Sequence, residues 1–360
     1  MKNINRILKW LVGGIVCLSI SASAWAEVIY HIVNEPSGYS SFAYGGGNTQ
    51  YTNAWSDGNS PASGNDYVND DASMAFRTPF LGTNYIFAGN SLTITNDANL
   101  TIKAGSNGTL TVNDFRLDNG TLMMGAQAYG SNVAVTTTWA GTTTIINTAT
   151  ITFNTGNVGG NAPTVDNTKE TLLMSADIVG DGLLVVSHLA GATSAAQGTN
   201  FIVNFSGNNS YSGGTILTAP GTNRANNGLY NQLNVEVVTS LGTGDVWLNA
   251  GNGAMSLSLQ NNTAIYEDAF LYINTANQTN WTLNLDYEDA MNIAGIWFDS
   301  TLYDGSAGFT YEDLLGESTF SSHVFGTGVF NLGQIPEPSA LILLGLGTAT
   351  LGLLRWRRKH

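Results

Sequence analysis

Few side chains in this sequence are placed to do chemistry. Asp66, Asp70 and Asp71 put three hard oxygen donors within six residues, a set that can take Ca²⁺ on a loop. Solvated turn carboxylates are the competing and favoured reading of the same three residues. The other acidic groups come mostly as adjacent pairs, Glu267 with Asp268, Glu288 with Asp289 and Glu312 with Asp313. Neighbours on a strand point to opposite faces, so such pairs do not by spacing alone make the acid and base of a glycan-cleaving site. His31, His188 and His323 lie far apart and in no metal-ligand spacing. Gly45-Gly46-Gly47 and Gly242-Thr243-Gly244 precede no helix that could cradle a phosphate, and no Gly-x-Ser-x-Gly elbow occurs. The sequence therefore names no catalytic residue and no cofactor, and its weak metal candidate is the Asp66, Asp70, Asp71 set.

Charge narrows the function further. Of 12 Lys and Arg, Lys2, Arg6 and Lys9 precede Leu11, and Arg355, Arg357, Arg358 and Lys359 follow Leu354, which leaves 12 − 7 = 5 between them against 26 Asp and Glu in the chain. With both ends removed the protein carries roughly −20, which repels phosphate backbones and argues against nucleic-acid binding. The single cysteine, Cys17, lies in the leader, so the body has no thiol for disulfides, metal ligation or nucleophilic catalysis.

The two ends read as address labels. Lys2, Arg6 and Lys9, then an apolar run from Leu11 to Ile20, then Ser21-Ala22-Ser23-Ala24-Trp25-Ala26 make a signal peptide over residues 1–26, with cleavage after Ala26 by the Ala24-x-Ala26 rule. Ten apolar residues fall short of the ~20 needed to span a bilayer. At the other end, the uncharged run Ala340–Leu354 gives a helix of about 22 Å at ~1.5 Å per residue, short of a ~30 Å hydrocarbon core. The basic cluster Arg355, Arg357, Arg358 and Lys359 after it stays cytoplasmic, which puts the body outside. Pro336-Glu337-Pro338 precedes the run, and two prolines hold that segment extended, as a protease cleft requires.

Pro-Glu-Pro, a short apolar helix and an Arg-rich terminus together resemble the PEP-CTERM sorting signal of Gram-negative bacteria, over residues 335–360. The resemblance implies an exosortase-type processing enzyme as a partner after signal peptidase. It also implies transient inner-membrane anchoring by the C-terminal transmembrane sorting helix, then release to the cell surface or beyond.

Between the labels the pattern is period two. Leu92-Thr93-Ile94, Leu100-Thr101-Ile102, Leu110-Thr111-Val112, Leu122-Met123-Met124, Ile151-Thr152-Phe153, Leu183-Leu184-Val185, Phe201-Ile202-Val203, Leu233-Asn234-Val235, Val246-Trp247-Leu248, Leu257-Ser258-Leu259, Leu271-Tyr272-Ile273 and Leu283-Asn284-Leu285 are separated by Asn, Asp and Gly. No stretch of the body shows an amphipathic helical period. Many short strands with Asn and Gly at the corners predict an all-β chain, a single right-handed parallel β-helix over residues 81–334, with a β-sandwich as the alternative. Residues 27–80, with Tyr39, Phe42, Tyr44, Tyr51 and Trp55 among glycines, predict an N-terminal cap, since a first coil otherwise exposes an apolar end and an unpaired edge. An aromatic platform for sugar rings is the competing reading of that region. Asp286–Phe298 with Phe325–Leu332 predicts a closing hairpin.

Residues 205–217, Phe-Ser-Gly-Asn-Asn-Ser-Tyr-Ser-Gly-Gly-Thr-Ile-Leu, resemble the autotransporter-associated β-strand repeat, with two Ser for Thr departures, and Ser240–Asn249 resembles the segment that follows it. Across 205–250 the resemblance implies passenger-type β-helical architecture, with Tyr211 packing and Gly213 and Gly214 turning. The function expected is non-enzymatic, adhesion or association with extracellular polysaccharide. A polysaccharide lyase or hydrolase and a passive spacer are the alternatives.

Overall fold

The computed structural model describes residues 26–32, 55–74, 76–78, 84–104, 107–126, 134–154, 168–189, 199–219, 232–251, 253–275 and 278–333. The expected signal peptide up to Trp25 and the tail from Gln334 lie outside them.

Among the described residues the chain is mostly β-strand with almost no helix, and all twelve period-two segments lie in strands. Most successive strands do not pair with each other; Val28–Tyr30 with Asp66–Asn69 and Gly295–Phe298 with Thr301–Tyr303 do. The chain alternates between two sheets and returns to each one strand further along. The longer sheet has thirteen strands, running from Val28–Tyr30 through Asp66–Asn69, Thr199–Phe205, Gln232–Val237 and Ala254–Leu259 to Val324–Gly326. The shorter has ten, running from Phe76–Arg77 through Leu183–Leu189, Thr215–Thr218, Val246–Asn249, Phe270–Asn274 and Gly295–Phe298 to Thr301–Tyr303. Every pairing of named strands is parallel except the last, Gly295–Phe298 with Thr301–Tyr303. Parallel partners need a crossover rather than a tight turn, so a sandwich of antiparallel hairpins is not what forms. The arrangement is consistent with a β-helix.

Side-chain alternation fixes what faces inward. In the shorter sheet Leu100, Leu122, Ile151, Val186, Leu217, Leu248, Ile273 and Phe298 occupy one continuous row, each in register with the next and each buried. Leu172, Val203, Val235, Leu257 and Leu283 make the corresponding row of the longer sheet. Both rows belong to one apolar core that reaches from Ile29 to Phe330. Burial of each such side chain stabilises by roughly 1.5–3 kcal/mol before chain entropy is set against it. The distance between equivalent positions varies, 22 residues from Leu100 to Leu122 but 35 from Ile151 to Val186. The core row tolerates this because the added residues lie between strands.

Corner chemistry follows the sequence. Asn96, Asp97 and Asn119 adopt positive φ between consecutive strands, as do Asp289 and Asp299, a conformation that short polar side chains accept more readily than others.

Both ends are closed. At the start, the outward backbone groups of Tyr30 are taken by Ser56: its N–H donates to the Tyr30 carbonyl and its hydroxyl accepts from the Tyr30 N–H (2.8 and 3.0 Å). His31, Trp55, Tyr67, Phe76 and Phe87 form an aromatic plug beneath that strand. Trp55 is fully buried, so it offers no sugar platform; Tyr39, Phe42, Tyr44 and Tyr51 lie outside the described residues. At the finish, Ala290–Ile293 and Val329–Leu332 pair in parallel, which corrects the expected hairpin: thirty-five residues separate the two strands, and they include two short helices. Those helices, Tyr311–Leu315 and Ser318–Ser321, were not anticipated. They press Tyr311 and Phe320 onto Trp281, Phe298 and Phe330 over the end of the core. The first is started by a capping box, in which the Asp313 N–H donates to the Thr310 hydroxyl and the Asp313 carboxylate accepts from the Thr310 N–H.

Candidate functional site

Candidate residues from the sequence are mostly absorbed by the frame. Asp66 sits at the start of a longer-sheet strand and accepts from the Ser91 hydroxyl (2.6 Å) and the Asn90 amide (2.8 Å) of the next coil. Those bonds hold its carboxyl below the usual carboxylate range. Asp71 is engaged by the Ser73 hydroxyl and N–H. Among the described residues no group of three or more His, Cys, Asp or Glu side chains could hold a metal ion, and the Asp66, Asp70, Asp71 set is no exception. His31 and His188 are buried, each pushed down to about 4 by desolvation. His323 stacks on Trp281 at 4.7 Å.

Three consecutive coils share a spacing of 31 residues, and Asn209 is the rung that joins them. Its side chain accepts from the Ile178 N–H (3.1 Å) and donates to the Ser240 carbonyl (2.7 Å), with 178, 209 and 240 equally spaced. Tyr211 is fully buried, with its hydroxyl 2.5 Å from that of Thr215. Gly182, Gly213 and Gly244 follow the same spacing. A Cβ at Gly213 would collide with the Gly182 backbone and one at Gly244 with that of Ser212 and Gly214, so the coils meet here without room for a side chain. Gly214 has φ +87° and Gly242 +79°.

Two surface features remain. The first is an open cleft of about 530 Å³ lined by Gln260, Asn261, Asn262, Asp286, Tyr287, Glu288, Asp289 and Thr327. It gathers the adjacent pair Glu288 and Asp289 with Asp286. Asp286 accepts from the Ser258 hydroxyl (2.9 Å), and Tyr287 leans inward to donate to the Val329 carbonyl (3.1 Å).

The second is a row on the outward face of the shorter sheet. Ile216, Trp247, Tyr272 and Trp297 are in register on successive strands, each half-buried between fully buried neighbours. Val185 continues the row on one side and Leu302 on the other. Trp247 and Tyr272 lie with ring centroids 5.3 Å apart and planes 14° apart, Tyr272 and Trp297 at 6.2 Å and 4°. Trp247 reaches across the coil before it, where a Cβ on Gly214 would strike its ring. Burial, and then the Asp245 carboxylate beside its hydroxyl, push Tyr272 up. The longer sheet differs in carrying bonded polar pairs among its outward side chains, Asn204 to Glu236 (2.8 Å) and Asn284 to Ser256 (3.0 Å). Sequence reasoning placed Trp247 and Tyr272 in strands without seeing the row, whose members are 25 or more residues apart.

The decisive comparison concerns the tail. Residues 334–359 match the PEP-CTERM protein-sorting motif. The motif contains the Pro336-Glu337-Pro338 triplet and the basic cluster Arg355, Arg357, Arg358 and Lys359, all of which lie outside the described residues, as does Ala24; Ala26 is exposed. This PEP-CTERM match implies an exported protein sorted to the cell envelope, with processing by an exosortase-type system. No curated protein and no solved structure matches the chain. Among the described residues no helix is long and apolar enough to cross a membrane.

Proposed function

We propose that this is a surface-displayed or released protein of a Gram-negative bacterium, folded as a right-handed parallel β-helix, that works without catalysis by adhesion or by association with extracellular polysaccharide. The PEP-CTERM match carries the reading, because it implies an exported protein sorted to the cell envelope. The β-helix is supported by two parallel sheets visited in alternation over one continuous core, and its hand by the general preference for right-handed parallel crossovers. The 31-residue spacing of positions 178, 209 and 240 supports kinship with autotransporter-associated repeats. Hydroxyl, amide and aromatic groups dominate the outward rows, which suits hydroxyl-rich polymers better than charged ones. Signal peptidase and the sorting enzyme are the processing partners, and membrane attachment is a transient stage.

One observation favours a second reading. Asp286, Glu288 and Asp289 share a cleft with three amide side chains, as a polysaccharide lyase or hydrolase would require. A glycan array on the mature protein, with products followed by mass spectrometry, separates the cases. Binding without product supports association, product formation that is lost in Glu288→Gln supports the enzyme, and silence supports a passive spacer. For the address, replacing Pro336-Glu337-Pro338 by three alanines in the native host should leave an unprocessed, membrane-retained chain; unchanged size and location on an immunoblot would defeat it.

A further inference from the structure

The outward row of the shorter sheet differs from every other surface described. Of the five tryptophans between Glu27 and Ile335, Trp55, Trp139 and Trp281 are fully buried, and the two left half-buried, Trp247 and Trp297, both stand in this row with Tyr272 between them. Nothing in the core demands them there, because Val246, Leu248, Leu271, Ile273, Ile296 and Phe298 already fill the inward positions of the same strands. Aromatic rings on an outer face serve the coil-to-coil stack, as cross-strand pairs do, but their geometry leaves more than that. Near-parallel planes in contact sit about 3.5–4.0 Å apart. Centroids 5.3 and 6.2 Å apart therefore place the rings in a shingle with sideways steps of about 4–5 Å, the offset arrangement that aromatic pairs prefer. Each ring keeps part of its face open.

Beside the shingle, two positions along each strand, runs a second outward row of hydrogen-bonding groups, Thr218, Asn249 and Asn274, also in register. A run of apolar faces flanked by a run of amide and hydroxyl groups, both repeating along the stack of coils, matches a polymer with apolar C–H faces and equatorial hydroxyls that repeats at a similar step. Charge decides which such polymer. Asp245 stands beside the Tyr272 hydroxyl, and none of the residues named in the two rows is Lys or Arg. The chain itself is strongly acidic, with a formal net charge of −14, so an anionic chain would be repelled.

From this we infer that the row Trp247, Tyr272, Trp297 binds a neutral polysaccharide, with the glycan chain lying along the axis of the coil stack and its sugar rings against the shingled faces. The inference rests on the polysaccharide-association reading above and assigns that association a place and a ligand class. Sugar rings on the shingle would also shield both half-buried indoles from solvent, a signal that the buried tryptophans do not give.

The test uses the mature protein purified from cells expressing the full chain, with dextran, a soluble β-1,3-glucan, a xyloglucan and a galactomannan as neutral probes and alginate as the anionic one. Affinity electrophoresis gives Kd and acrylamide quenching reads the indoles. At least one neutral polymer should bind and protect the emission, with alginate at least tenfold weaker. The Trp247→Ala–Trp297→Ala double variant should lose at least tenfold in affinity, and Trp247→Phe–Trp297→Phe should recover most of it. Tyr272→Ala, which keeps both indoles, should weaken binding and reduce protection. Unchanged urea midpoints establish that the variants are folded. Retained affinity in the folded double alanine variant overturns the row while leaving polysaccharide association intact. Binding to none of the neutral polymers overturns both, and alginate binding as tightly as they do overturns the ligand class.

Discussion

Glu170 should make this protein lose stability as the pH rises from about 4.5 toward 8. Its side chain is 1% exposed, on the inward face of the strand Thr168–Met174, in register with Phe201 of the next coil and Val135 of the previous one, and neither carboxylate oxygen has a hydrogen-bond partner. A charge there would be stranded in an apolar medium, so burial pushes the carboxyl up to about 8 from an ordinary 4.5. The folded state holds this proton more tightly than the unfolded chain does. The stabilisation is therefore complete below about pH 4.5 and declines as the pH climbs toward 8, with a limiting slope of about 1.4 kcal/mol per pH unit. Between pH 4.5 and 7 that is roughly 3 kcal/mol, and roughly 4 by pH 8, a large part of the 5–15 kcal/mol typical of a folded domain.

His188 and His31 act in the opposite sense. Burial lowers each to about 4, so both must be neutral in the fold, and each takes stability away as the pH falls from 6.5 toward 4. The three together place maximum stability near pH 6.5. Glu170→Gln keeps the shape and removes the proton. Urea unfolding followed by tryptophan emission at pH 5, 6.5 and 8 should show the variant gaining on the wild type by several kcal/mol across that range, with unchanged m-value. Parallel curves, with one constant offset at every pH, would refute the reasoning, because a merely structural effect of the amide does not vary with pH.

Three further changes test the frame. Asn209→Ala removes both rung bonds, to Ile178 and Ser240, and strands two backbone groups of neighbouring coils; it should cost about 2–4 kcal/mol by urea denaturation, at roughly 1–2 per lost buried bond. Gly213→Ala forces a methyl into the Gly182 backbone and should cost more than 2 kcal/mol, with hydrogen exchange accelerating first in the coils around residues 182, 213 and 244. Thr310→Ala breaks the capping box of the first helix and should cost about 1 kcal/mol, while Thr310→Ser should be nearly neutral.

How much could be read in advance depended on how far apart the relevant residues stand. Period-two triplets such as Leu92-Thr93-Ile94 and Leu257-Ser258-Leu259 announce their strands because the alternation sits inside one strand. Asn96 and Asn119 announce their corners because the strain is local to one residue. The tail was legible for the same reason, a compact run of residues with a fixed order. The resemblance over 205–217 marked the middle of three coils at 31-residue spacing, but Asp177–Leu183 shares that spacing with little of the sequence. Pairing register was out of reach, since the core row accepts both 22 and 35 residues per return. Every surface feature built across coils was hidden with it. Trp247, Tyr272 and Trp297 become neighbours only once Val246 is set beside Leu271 and Leu271 beside Ile296. The cleft needs residues 260–262, 286–289 and 327 from three separate passages of the chain. The short helices were missed for a different reason: Thr310-x-x-Asp313 is a capping signal, but it introduces five residues, too few for a helical period to register.

Stability and surface chemistry are separable in this architecture, and that separation is what makes the functional tests informative. Each strand pairs mainly with its two neighbours in the sheet, so in the β-helix proposed above the free energy is close to a sum of coil and interface contributions. The inward rows, the glycine contacts and the Asn209 rung supply those interfaces, and the aromatic plugs at Trp55 and at Trp281 close the ends. Most of these groups are buried. Outward positions such as Trp247, Asn249 and Asn274 can therefore change with modest effect on folding, as surface substitutions usually do. Loss of glycan binding in a stably folded outward variant would accordingly report on the surface itself. Loss of binding in an inward variant such as Asn209→Ala would report only that the coils no longer present that surface in register.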